Sequence, residues 1–103
     1  MNPVEIVERL EAIDKDLGDR MPALEAAARA WFVAKRNREK ARAVAFLSAE
    51  GSVASRQAEA DRQTATDGAE AEAEYEALKA VVRTLEARAS IGQTLCRVNV
   101  SNR

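Results

Sequence analysis

The chain has 103 residues, a net charge of −1, one cysteine and no histidine. That excludes an internal disulfide framework, His/Cys zinc chemistry and a histidine acting as a base near neutral pH. Twenty-two alanines, abundant Glu, Arg and Lys, four glycines and two prolines favour helices over a sheet, whose turns need more glycine and proline.

Asn2-Pro3-Val4-Glu5 reads as a helix start. Asn2 is placed to cap, Pro3 suits the first helical position, and Glu5 sits where a capping box needs a carboxylate. Ile6, Leu10, Ile13 and Leu17 recur at intervals of four, three and four, which makes one apolar stripe. Gly18 reads as the stop of this short N-terminal helix, and Asp19-Arg20-Met21-Pro22 as a turn from which Pro22 starts a second helix.

The second helix is expected from about 22 to 50, roughly 43 Å long at ~1.5 Å per residue. Leu24, Ala27, Ala28 and Trp31 form its early stripe, while Ala27, Ala30, Ala34, Ala41 and Ala45 form a track of small residues. Gly51-Ser52 breaks the helix, with glycine to stop it and serine to cap the next segment. Residues 52–68 read as a short helix, a mobile loop or both in exchange, and as the least ordered internal part. Asp67-Gly68 is a second turn signal.

The last helix is predicted over 69–95. Ala71, Tyr75, Leu78, Val82, Leu85, Ala89 and Gly92 follow a 4-3-4-3-4-3 spacing, a coiled-coil pattern that marks Tyr75, Leu78, Val82 and Leu85 as candidate protein-interaction residues. Residues 97–103 are expected to be a disordered tail. The fold class is all-α: a single helical domain built as a long antiparallel hairpin of residues 22–50 and 69–95, with a short N-terminal helix. Large apolar residues are few, so assembly into a homo-oligomeric bundle is expected to supply missing buried area.

Charge alternates along the chain. Residues 1–20 carry −3, 21–50 carry +3, 51–76 carry −5 and 77–103 carry +4. The positive run is densest between Arg29 and Arg42, where six bases accompany one acid and the only tryptophan. At 100° per residue Trp31, Lys35, Arg38 and Arg42 fall on one side of a helix, with Arg29, Arg36 and Lys40 roughly 150° away. Such a belt suits phosphates, and Trp31 either packs in a core or stacks a base. The acidic segment 67–76 is an alternative internal partner for the belt.

No catalytic constellation is present: G-x-S-x-G, P-loop and G-x-G-x-x-G patterns are all missing, so no enzyme activity and no cofactor are expected. Glu70, Glu72, Glu74 and Glu76 alternate at i,i+2, which spreads them around a helix instead of converging them on a metal. Cys96 reads as a small apolar filler or a free thiol. The N-terminus lacks the basic and apolar segments of a signal peptide, and no apolar run approaches the ~20 residues of a membrane span. A cytoplasmic protein without membrane attachment is expected.

An acidic amphipathic helix, a helix carrying Trp31-Phe32-Val33-Ala34-Lys35-Arg36-Asn37-Arg38-Glu39-Lys40, a glycine-serine break and a heptad helix ending near Arg88-Ala89-Ser90-Ile91 occur in that order. Over residues 25–95 this layout resembles the UvsY-type phage recombination mediators and related small helical phage proteins. The resemblance implies a ring-like oligomer that binds single-stranded DNA and helps to load a recombinase. Lys35, Arg36, Arg38, Lys40 and Arg42 are the positions matching the basic helix, and they would contact phosphates. Arg29 and Trp31 complete the candidate nucleic-acid site. The other readings are a phage or mobile-element interaction module that inhibits a host complex through its charged helix faces, and a purely structural coiled-coil piece.

Overall fold

The computed structural model describes residues 2–101, with side chains described for 2–98. Three helices account for nearly all of them: α1 (Pro3–Ser48), α2 (Val53–Thr64) and α3 (Ala69–Ser101). There is no strand among the described residues, and two long helices pair in a hairpin-like arrangement. The chain gathers into two compact units, Met1–Glu25 with Glu76–Arg103, and Ala26–Tyr75.

In the first unit, α1 starts at the expected cap. The Asn2 Oδ1 accepts from the Glu5 N–H at 2.8 Å, and the Glu5 carboxylate accepts from the Asn2 N–H at 3.4 Å. This reciprocal pair satisfies donors that a helix start leaves without partners. Ile6 is 2% exposed, and Leu10, Ile13 and Leu17 follow it along the sheltered side. Val82 and Leu85 of α3 are buried with them. Gly92 lets the helices approach: a Cβ there would lie 2.7 Å from Leu10 Cδ2. The α3 helix runs past the expected end at 95 to Ser101, so residues 97–101 are helical. Asn102 and Arg103 lie outside the described residues.

The expected stop at Gly18 does not occur. The short N-terminal helix and its successor are one 46-residue helix with Pro22 inside it. Proline removes one N–H donor and crowds the carbonyl of residue i−4, here Gly18, at a cost of about 3 kcal/mol in a helix interior. Side chains bridge the weak stretch: Arg20 Nε and Asp16 Oδ1 lie 2.8 Å apart, two residues either side of Gly18. The apolar stripe also holds phase across it, from Leu17 to Leu24, so continuing the helix keeps both ends sheltered.

The second unit is built from small residues. Ala60 of α2 is fully buried, and Ala27 and Ala45 of α1 and Thr64 of α2 are buried with it. Thr64 satisfies its hydroxyl by donating to the Ala60 carbonyl at 2.9 Å. Of the alanine track, Ala27, Ala34 and Ala45 are sheltered, whereas Ala30 and Ala41 are exposed. Spacings of seven and eleven residues keep the first three within about 20° of one another, and the other two drift off that line. The segment expected to be least ordered is thus a packed helix. Its contact face consists of Ala60 and Thr64, which carry little hydrophobic signal.

Two turns frame α2. At the first, Gly51 takes φ +105°, and the Ser52 hydroxyl caps the helix by accepting from the Ser55 N–H at 3.2 Å. Arg56 closes this turn, donating from Nε to the Ala49 carbonyl at 2.8 Å with its guanidinium 5.2 Å from the Phe46 ring centroid. At the second turn Gly68 takes φ +77°, and a Cβ there would meet Trp31 Cζ3 at 3.2 Å and the Ala34 Cβ at 3.3 Å.

Stability should respond in opposite directions at two positions. Gly68→Ala is expected to destabilise the chain by about 1–3 kcal/mol in urea melts, from left-handed strain and crowding against Trp31. Pro22→Ala restores a donor inside α1 and should stabilise by about 1–3 kcal/mol, read as a higher urea midpoint at unchanged slope.

Candidate nucleic-acid interface on helix α1

The structure divides the basic run into two sets. Arg38 is half-buried, with its guanidinium 5.5 Å from the centroid of the Trp31 ring. Arg42 donates from Nε to Asp61 Oδ1 of α2 at 2.6 Å. This hydrogen bond and the charge behind it hold the Arg42 guanidinium above its ordinary range. Asp61 of α2 is thus an acid that meets the belt. Trp31 is itself half-buried, occupied by Gly68 on one part of its ring and by Arg38 over its face.

The second set faces solvent. Arg29, Arg36 and Lys40 lie within an arc of about 40° on α1, and all three are exposed, as is Lys35 at the flank. Among the described residues Lys35, Arg36 and Lys40 have no ion-pair partner. Glu39 lies beside them. A shallow depression joins Arg29, Phe32, Val33, Lys35, Arg36 and Glu39. Phe32, absent from the sequence-derived site, is 58% exposed here. The available signal was its position three residues after Arg29 and four before Arg36, on the side away from Trp31.

The candidate interaction residues of α3 are placed differently from expectation. Val82 and Leu85 are buried, and Leu78 and Tyr75 are half-buried, within the chain's own packing. A heptad stripe is satisfied equally by a helix of the same chain or of another copy. In the first unit the Ile6–Leu17 stripe of α1 supplies sheltered apolar residues of the same chain, so Val82 and Leu85 are not exposed docking residues.

Two acids elsewhere have local partners. Glu59 accepts from Arg62 at 2.5 Å and from the Gln63 amide at 2.9 Å, and these hydrogen bonds lower its carboxyl to a pKa of about 2 from an ordinary 4.5. Glu76 meets Lys79 at 3.1 Å. No cluster of three or more His, Cys, Asp or Glu able to hold a metal occurs among the described residues, and none of their helices is long and apolar enough to cross a membrane. No protein-family model, curated protein or solved structure matches the chain.

The Glu59 contacts have a pH signature. A depressed carboxyl contributes stability that is present above its unfolded value near 4.5 and lost as pH falls through about 2. An NMR titration of the Glu59 carboxyl should give a midpoint well below 4.5 at low salt. Because the pair is exposed, added salt should move that midpoint back up.

Proposed function

We propose that the chain is a small helical accessory protein that binds single-stranded DNA through the basic outer face of α1. In this reading it acts in the cytoplasm, as a homo-oligomer and in the manner of a phage recombination mediator, with a recombinase or another protein as partner. The observation that carries the reading is the exposure of Lys35, Arg36 and Lys40 with no ion-pair partner among the described residues. Cations in that state release counterions when they meet phosphates, and this is the main source of affinity for a polyanion. Arg38 and Arg42 contribute less, because Trp31 and Asp61 already engage them. Self-association is supported by large apolar side chains left in water on α1 and α3, among them Leu47 at 73% exposure and Ile91 at 63%.

A second reading draws on the exposed Glu70, Glu72 and Glu74 at the start of α3. There the chain is an interaction module, such as an inhibitor of a host complex, that offers an acidic face to a basic protein surface.

Affinity for an oligothymidylate is expected to fall with salt along a log–log slope of about −2, for three phosphate contacts at ~0.7 each. The triple variant Lys35→Glu, Arg36→Glu, Lys40→Glu should abolish binding while leaving the helical circular dichroism intact. Salt-independent binding, or binding that survives the triple reversal, rejects the reading. Reversing Glu70, Glu72 and Glu74 to lysine should leave DNA binding in place. Loss of a protein partner on that change alone would favour the second reading.

A further inference from the structure

The chain has four aromatic residues, and the structure gives three of them occupations. Trp31 packs on the Gly68 turn under Arg38, Phe46 lies under the Arg56 guanidinium, and Tyr75 is half-buried. Phe32 is the exposed one, at 58%. It shares a depression with Lys35 and Arg36, and Lys40 lies one turn beyond Arg36 on the same outer side. A bare phenyl ring has no polar atom to offer water or phosphate. Its π-face offers one thing to a nucleic acid, a surface for a base to cover. In a duplex that base face is already stacked, and only edges and backbone are presented. Glu39 borders the same depression and repels phosphate, which directs the backbone toward the Arg36 and Lys40 side and the bases toward Phe32.

Resting on the single-strand reading above, we propose that Phe32 is the base-stacking residue of this face, and that it makes the face select an unpaired strand over a duplex. Trp31 holds the fold. Phe32 reads the absence of a second strand, and the neighbouring cations supply the sequence-independent attraction.

The test is fluorescence anisotropy with labelled oligothymidylate and with an oligothymidylate–oligoadenylate duplex of the same length, using the full chain and Phe32→Ala. The variant should bind the single strand roughly tenfold more weakly, within the range that loss of one base–aromatic stack produces. Its salt slope should be unchanged, because no phosphate contact is lost. Duplex binding should be weaker than single-strand binding in the wild type and insensitive to the change. A second variant, Phe32→Trp in a Trp31→Phe background, should show tryptophan quenching on adding oligothymidylate. Sedimentation of wild type and Phe32→Ala runs alongside. Equal loss on both nucleic acids, no loss on either, or conversion to a smaller species on Phe32→Ala overturns the proposal. The last result would place Phe32 between copies of the chain. If the wild type binds no oligothymidylate, the single-strand reading and this proposal fall together. If it binds and only the Phe32 variants behave as wild type, this proposal alone falls.

Discussion

The turn between α2 and α3 comes so close to α1 at Gly68 that a Cβ there would sit 3.2 Å from the Trp31 ring and 3.3 Å from Ala34. The second unit depends on that approach. Its core otherwise consists of Ala27, Ala45, Ala60 and Thr64, each of which removes little apolar area from water. The tryptophan is the large apolar body available there, and the glycine lets backbone lie against it. Once Trp31 is committed to the turn, Arg38 settles over its remaining face and Arg42 reaches Asp61. One packing decision thus sorts the cations of α1 into those that serve the fold and those left outward.

The first unit solves the same problem by another route. Its α3 stripe is aliphatic at Leu78, Val82 and Leu85, its α1 stripe supplies Ile6, Leu10, Ile13 and Leu17, and Gly92 admits Leu10. Burial is more ordinary there, yet among the described large side chains only Ile6 is almost wholly removed from solvent. Both units leave apolar side chains on their outer faces. A chain of this size buries a smaller fraction of its surface than a larger domain, so those faces set a demand that association can meet.

What could be read in advance depended on whether the signal was local. The Asn2–Glu5 box, the Gly51-Ser52 break and the Tyr75–Leu85 heptad each rest on a few residues with strong preferences, and each recurs in the structure. Pro22 reads as a helix start on its local cost alone, whereas the stripe that continues in phase from Leu17 to Leu24 carries one helix through it. Helix α2 was ambiguous because Ala60 and Thr64, its buried residues, look like surface residues in a bare sequence. The basic run was visible at once, but its division was not. Trp31 and Phe32 are adjacent and alike in character, and about 100° of helix rotation separates the one that packs from the one in water.

That rotation also separates the outer cations of α1 from the inner ones. Arg38 and Arg42 sit where a second group already faces them, so a phosphate arriving there shares each guanidinium with an aromatic contact or an ion pair. Arg36 and Lys40 face water, so a phosphate competes only with solvent and counterions. A carboxylate of opposite charge, Glu39, borders one side of the face and leaves the other open. The balance of charge on α1 therefore favours a track along one edge, with the apolar surface of Phe32 and Val33 beside it. A polyanion with apolar faces of its own matches that juxtaposition better than one whose surface is phosphate alone.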